Sequence, residues 1–461
     1  MAGHAELTTT TAAPGGAATG PARRPPPAPA PRPLEPSMRV LVTAALPCLL
    51  HPLVPLAWAL RTAGHEVRVV GRPQVARAAR TAGLVGVETG DELTGEPWTD
   101  PAAAQAAAAD PVVWSAGEPA RAARVLAAHL PLLDHLTDDG VLQGVVAAAR
   151  DWRPELVLWD AHALAGPVAA RAAGAAQVRV LSGPDHWGRL VDSAAGQAQD
   201  GPDPLSAHLA ARAARHQVAC DTGRPVLGDA TVDPLPACLH HTRGLDHRPV
   251  RAVPYDGPAT FPAWLRRQPR RPRLLLTLGE PGLPAAPAAQ TEKQAPHATV
   301  ADVFAAVDAL DVEVVATMDT GRIPPGTRIP HQVRLLDRLP AHLTLPHCAA
   351  VVHDGAPQTL VTAAACGVPQ LALPAPRWGT TGVIDAVERA GAGLAADPAA
   401  LKDQLTRLLE DPGLRSGAAR LKEEAAATPS PRELVAGLEE LAARVTGRPA
   451  HPSTTKGARA A

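Results

Sequence analysis

Short apolar runs rich in valine and leucine recur along the chain, each followed by a stretch with helical spacing, and this recurrence limits the fold more than any other feature. Arg39 to Thr43 reads as a strand. A loop then leads to a helix beginning at Pro52, because a proline without an N–H loses nothing at the first helical position. Gly64 closes that helix, and Glu66 to Val70 (EVRVV) alternates as a second strand. A strand, loop, helix and strand in that order join parallel neighbours by a crossover. The same order returns at Leu156 to Trp159, a helix over about Gly166 to Ala173, and Val178 to Leu181. The implied element is a doubly wound parallel sheet with helices on both faces.

The pattern stops between Pro254 and Arg273 (PYDGPATFPAWLRRQPRRPR), where proline and arginine take over, and a second cycle begins beyond it. Arg273 to Leu278, Val312 to Met318, Gln332 to Leu336, Ala349 to His353 and Pro369 to Leu373 read as strands separated by helices. Asp397 before Pro398 is an N-cap, and Leu401, Leu405, Leu408 and Leu409 make one apolar face. Ser430-Pro431-Arg432-Glu433 is a capping box that opens a last helix to about Val445. The fold class is therefore α/β, with two Rossmann-like doubly wound halves facing a cleft, where ligands meet the carboxyl ends of the strands. The expected segments are a leader over 1–37, a first domain over 38–254, a linker over 255–272, a second domain over 273–430, the last helix over 431–445 and a loose tail over 446–461.

Composition narrows the partners. The chain has 461 residues with 44 basic and 45 acidic side chains, so no net field draws it to nucleic acid or an anionic membrane. Five scattered cysteines, never spaced as CxxC, argue against a disulfide framework or zinc site and for a reducing, cytoplasmic setting. Residues 1–37 hold nine prolines and no Val, Ile, Phe or Trp; they are read as disordered, with Met38 a candidate start. The apolar stretch from Arg39 to Leu60 imitates a signal peptide, but three prolines and His51 interrupt it. No uninterrupted run of about 18 apolar residues exists, so no membrane span is expected.

Three segments carry a resemblance: Val54 to Val70 (VPLAWALRTAGHEVRVV), Trp152 to Gly174 (WRPELVLWDAHALAGPVAARAAG), and Pro346 to Leu394, which contains VVHDGAPQTLVTAAACGVPQLALP. In this order and spacing they resemble actinobacterial antibiotic glycosyltransferases of the GT-B, family 1 type, and among these the enzymes that add deoxysugars to macrolide and related polyketide aglycones. The resemblance covers nearly all of Met38 to Val445. It implies an N-terminal acceptor domain, a C-terminal domain for a dTDP-sugar co-substrate, a final helix crossing back to the first domain, and inverting transfer without metal or cofactor. For many such enzymes it also implies a cytochrome P450-like accessory protein docked on the N-terminal domain.

At the donor turn the family pattern His-x-Gly-Gly-x-Gly-Thr corresponds to His353-Asp354-Gly355-Ala356-Pro357-Gln358-Thr359. Free N–H groups and the positive end of the following helix would hold a pyrophosphate there. Pro357 removes one N–H, and Asp354 brings a negative charge near an anion. By the same resemblance Thr277 and Gly279 match a phosphate-proximal loop, Leu339 lies where the nucleobase is held, and Trp378 and Thr380 face the sugar.

Inverting transfer needs a base for the acceptor hydroxyl, and histidine with a carboxylate on its other nitrogen suits that task. Asp160 matches the family's acid. The family's histidine falls near Leu49, whereas this chain has His51, so His51 and Asp160 are the expected dyad if the loop is rearranged by two residues, the alternative being that His51 only caps the helix. His162, just past Asp160, is a second candidate base facing the same crevice; His162, Asp185 and Trp187 are expected around a hydrophobic acceptor, with Trp187 as a wall, while His65 at a helix-to-strand turn reads as structural. The departures at 354, 357 and 49 leave a second reading open, a member that no longer transfers sugar and serves as a binding or helper subunit. A third, a GT-B nucleotide-sugar epimerase, fits the N-terminal segments less well.

Overall fold

The computed structural model of the protein describes residues 38–94, 119–195, 202–220, 225–239, 245, 247–278, 298–318, 320, 323–373 and 380–448. The leader over 1–37, Gly279, Trp378 and the tail beyond residue 448 lie outside the described residues. Two parallel sheets are present. The first contains β1 (Arg39–Thr43), β2 (Glu66–Gly71), β3 (Val85–Glu88), β4 (Leu156–Asp160), β5 (Ala176–Val180), β6 (Ala230–Asp233) and β7 (His247–Pro249), in the order β3-β2-β1-β4-β5-β6-β7. The second contains β8 (Arg273–Leu278), β9 (Glu313–Met318), β10 (Val333–Leu336), β11 (Ala350–His353), β12 (Gln370–Ala372) and β13 (Gly393–Ala395), in the order β10-β9-β8-β11-β12-β13.

Central strands are buried on both faces, as every residue of β4 and β5 shows; β4 accordingly reads as an apolar run, whereas β5 buries Gln177 and Arg179 between its apolar residues. In each sheet the order reverses at the pair that sits side by side, β1 with β4 and β8 with β11. A crevice opens at the carboxyl ends of such pairs. Strands β3 (VGVE), β6 (ATVD), β7 (HRP) and β13 (GLA) escaped the sequence reading, since each is short and mixes Gly, Ala, Pro or charged residues with at most two Val or Leu.

The helix expected to begin at Pro52 is instead built in three pieces. Pro47–Leu50 is helical, His51–Leu53 is one 3-10 turn, and Val54–Thr62 is the main helix. Each piece has a proline in its first two positions, because each missing N–H can be accommodated only where a new segment starts. This folds the loop after β1 tightly over the strand ends. On β4 a second close contact sets the geometry: a Cβ on Gly166 would lie 2.4 Å from the Cβ of Trp159. Only glycine lets the helix Ala165–Ala173 approach β4 so closely.

The last helix, Pro431–Thr446, has the capping box, with Ser430 accepting from the Glu433 N–H and the Glu433 carboxylate accepting from the Ser430 N–H. It packs on the first half, where Val435, Leu438, Leu441 and Ala442 share a core with Val54, Ala57 and Leu60. His65 and Glu439 join across this contact at 2.9 Å, both buried. A sequence separation of 374 residues is thus closed by an apolar stripe and one buried polar pair. Among the described residues no helix is long and apolar enough to cross a membrane.

Candidate active site between the two halves

Asp160 ends β4 and is almost fully buried, at 1% exposure. One carboxylate oxygen accepts the Ala45 N–H at 2.7 Å, tying the loop after β1 to the loop after β4. The other accepts the His162 N–H at 2.9 Å and faces His162 Nδ1 at 3.2 Å. The acid therefore pairs with His162. The expected dyad of His51 and Asp160 is not formed among the described residues.

His51 sits elsewhere because the 3-10 turn that carries it faces the linker. Its ring meets Tyr255 edge to face at 5.5 Å and its Nε2 lies beside Gly257. Burial pushes the imidazole down to about 4, with Asp256 opposing the fall and Arg338 and His342 adding to it. His342 Nδ1 in turn lies 3.1 Å from Asp256, and the Arg338 guanidinium donates to the Asp256 carbonyl. His51 thus belongs to a polar joint between the first half, the linker and the loop after β10.

Two further expectations are corrected. Asp185 does not face an acceptor: it is 6% exposed and held by Arg179, by His247 at 3.0 Å and by the Gly188 N–H at 2.8 Å. Burial alone would raise its pKa, but the Arg179 guanidinium and these hydrogen bonds hold it at about 2. Trp187 is no open wall, being 3% exposed within the core of the first half. Its ring lies edge to face with His162 on one side and with His129 on the other, each at 5.8 Å. His129, which sequence reasoning missed, is buried on the helix Pro119–Leu136, with Nδ1 2.7 Å from the Val125 carbonyl. No local motif announces it; only the packing of that helix against His186–Ala195 brings it there.

In the second half β11 ends on His353, next to Thr277 at the end of β8. His353 is 1% exposed, and both ring nitrogens are used: Nδ1 accepts the Gly355 N–H at 3.0 Å, and Nε2 meets Gln370 Oε1 at 3.1 Å. Because Nδ1 accepts, Nε2 carries the proton and donates. Burial pushes this imidazole down to about 4, so it shapes the turn as a neutral ring. Gly355 takes φ +79°, the left-handed conformation that glycine adopts freely. Asp354 accepts from the Ala356 N–H at 3.3 Å and is itself buried. The helix Pro357–Cys366 then starts with no side-chain cap, Pro357 lacking an N–H and Thr359 buried in the first turn. Leu339 packs into the core beneath β8 and β11 rather than into the cleft. Thr380 begins the helix Thr380–Arg389, of whose first side chains nothing is described.

The halves meet at this uncapped turn. Gln358 Nε2 donates to the Cys48 carbonyl at 3.3 Å, and a Cβ on Gly183 would stand 2.3 Å from the Pro357 Cβ. Cys48 follows β1 and Gly183 follows β5, the strands on either side of β4. Beside the contact lies an apolar pocket lined by Pro55, Leu181, Ser182, Tyr255, Val361 and Thr362. The helix N-terminus with Gln358 borders the apolar pocket in this interdomain cleft, and the carboxylate–histidine pair stands at the end of β4, between the two strands whose loops meet that helix.

Two doubly wound halves, closed by a C-terminal helix and meeting at such a cleft, define a nucleotide-sugar glycosyltransferase of the GT-B fold. The chain belongs to the erythromycin biosynthesis protein CIII-like family, whose N-terminal domain matches residues 58–279 and whose C-terminal domain matches residues 301–441. It is 34% identical to the 3-alpha-mycarosylerythronolide B desosaminyl transferase of Saccharopolyspora erythraea, over 86% of this chain and 96% of that one. It is 37% identical to the aklavinone 7-beta-L-rhodosaminyltransferase of Streptomyces galilaeus, over 91% and 99%. Among solved structures it is similar to the glycosyltransferase VinC in complex with dTDP, with a TM-score of 0.75 and 35% identity over 88% of this chain and 100% of that one.

Proposed function

We propose that this protein transfers a deoxysugar from a dTDP-activated donor to a hydroxyl of a polyketide aglycone, with inversion at the anomeric carbon and without a metal ion. Residues 38–254 are read as the acceptor half and 273–430 as the donor half. The observation that carries the reading is the uncapped start of the helix Pro357–Cys366, set directly against the loops after β1 and β5. A leaving diphosphate gains negative charge, and the N–H groups of that first turn with the helix dipole oppose it without a cation. The apolar pocket beside the turn suits a hydrophobic acceptor. Relatives named as desosaminyl and rhodosaminyl transferases, and a similar structure bound to dTDP, support the same donor class.

Inversion follows from a single in-line displacement, which needs one base and no covalent intermediate. Pro357 and Asp354 reduce the donors at the anion site, since one has no N–H and the other already occupies the Ala356 N–H. Gln358 and Thr359 remain as the first-turn N–H donors. dTDP at 100 times its dissociation constant should raise stability by about 2.7 kcal/mol, and at about 2 to 4 °C per kcal/mol the melting point by roughly 5 to 11 °C. Incubation with a panel of dTDP-deoxysugars and polyketide aglycones, with and without a cytochrome P450-like accessory protein, should give a product heavier by one deoxysugar in mass spectra. No melting shift at millimolar dTDP together with no product would leave the helper-subunit reading in its place.

A further inference from the structure

The site holds a carboxylate–histidine pair, but not with the histidine that the loop after β1 supplies. A carboxylate only accepts, so the contact of Asp160 with His162 Nδ1 puts the ring proton on Nδ1 and the lone pair on Nε2. Among the described residues Nε2 has no hydrogen-bond partner, and the side chain keeps 27% exposure while Asp160 has 1%. The backbone N–H of His162 is fixed by the same carboxylate, and the Trp187 edge limits rotation of the ring. Orientation is thus set from three sides.

Position follows from the sheet order. β4 lies between β1 and β5, and the loops after β1 and β5 are the ones that touch Gln358 and Pro357. The loop carrying His162 therefore lies between the two that meet the donor turn. Leu49 has no group that can take a proton, and the His51 ring is engaged at the linker. We infer that His162 is the general base of this protein and that Asp160 is its positioning residue, an assignment that rests on the transfer reading above. The acceptor O–H gives its proton to His162 Nε2 as the oxygen bonds to C1 of the sugar. The bond from C1 to the diphosphate oxygen breaks, its electron pair leaving with the nucleoside diphosphate. The resulting imidazolium stands against the Asp160 carboxylate.

The test compares wild type, His162→Ala, His162→Gln and His51→Ala with the donor and acceptor panel, using the dTDP melting shift as the check of fold. In both His162 variants kcat should fall by about 10²- to 10⁴-fold, with KM within a few-fold and the dTDP shift retained. Free imidazole should restore part of the turnover of His162→Ala and none of that of His162→Gln, where the cavity stays filled. Wild-type turnover with full retention in His162→Ala, or a loss confined to His51→Ala, overturns the base assignment and leaves the transfer reading intact. A wild type that neither shifts with dTDP nor forms product overturns both.

Discussion

The turn after β4 and the turn after β11 occupy the same topological place in their two halves, and each combines a histidine with a buried aspartate, but only the first leaves its histidine partly exposed. In the first half the aspartate is sealed at 1% exposure and His162 retains 27%. In the second half His353 is sealed at 1% and the chain beyond it presents backbone N–H groups at a helix start. A buried carboxylate can orient an exposed imidazole, whereas a buried neutral imidazole can only hold a turn in shape. On the proposed reading, one strand–turn–helix frame serves as a base in one half and as an anion cradle in the other.

The largest effect that would break this contrast is at Asp160. In Asp160→Asn the amide NH₂ must face either the Ala45 N–H or the His162 N–H, so one donor meets another. Turnover should fall by about 10²-fold or more, and a buried unsatisfied N–H should lower stability by about 1–3 kcal/mol. The matching change in the second half, Gln370→Leu, removes the acceptor of His353 Nε2. It should cost a similar amount of stability, about 1–3 kcal/mol, but reduce turnover only through the shape of the donor turn. Urea unfolding and steady-state kinetics on both variants decide the matter, and equal losses of turnover would erase the contrast.

A smaller effect, with a defined pH window, separates the sealed histidines from the exposed one. His353 and His51 are each pushed down to about 4 from 6.5, so between those values the unfolded chain binds protons that the native chain does not. Their contribution to stability is complete above pH 6.5 and is lost as pH falls toward 4. The maximal slope is roughly 1.4 kcal/mol per pH unit for each histidine. Asp185, held at about 2, acts in a separate window, its stabilisation being lost only below the ordinary carboxylate range. Urea midpoints between pH 7 and pH 4.5 should decline in wild type and decline less in His51→Asn and His353→Asn. An unchanged slope in both variants would contradict the burial of these rings.

Much of the frame was legible in the sequence, because a buried parallel strand shows itself as a near-continuous Val and Leu run, as in β1, β4, β8 and β11, while β2 and β5 were legible by alternation of Val with polar residues. The capping box at Ser430 was legible because it is a local signal, whereas the partner of His65, Glu439, lies 374 residues away. The choice between His51 and His162 as the partner of Asp160 was not legible. Counting from Val54-Pro55-Leu56 locates a histidine along the chain, but three prolines break the segment into three helical pieces and turn His51 toward Tyr255. Asp185 and Trp187 misled in a related way, since a charged or aromatic residue in a loop signals polarity or size but not which side of the loop faces water. Arg179, six residues earlier, decides the fate of Asp185, and His129, 58 residues earlier, helps to enclose Trp187.

Packing beneath the first turn supplies a third test. Gly166→Ala would place a Cβ 2.4 Å from the Trp159 Cβ, so the helix must move away from β4 or the Trp159 side chain must shift. Overpacking of this kind should cost about 1–3 kcal/mol. Displacement of the helix would also carry the turn with His162, so turnover should fall by more than the stability loss predicts. A variant that loses stability but keeps its kcat would show that the turn is held by Asp160 alone.

The smallest effect concerns the link between the two turns. Gln358 Nε2 reaches the Cys48 carbonyl at 3.3 Å, a long hydrogen bond on a half-buried side chain, and Gln358→Ala should lower stability by no more than about 1 kcal/mol. Its mechanistic value lies in what it leaves alone. The Gln358 N–H survives the substitution, so the anion cradle keeps its donor and the affinity for dTDP should stay within a factor of two by calorimetry. The distance between cradle and base is no longer tied, so kcat should fall a few-fold with the dTDP dissociation constant unchanged. Gly183→Ala strains the same junction through Pro357 and should act in the same direction more strongly, because a Cβ at 2.3 Å forces one of the two segments to move. If both variants instead weakened dTDP binding as much as they slowed turnover, the loops of the first half would be part of the nucleotide site itself, and the division of labour between the two turns would be lost.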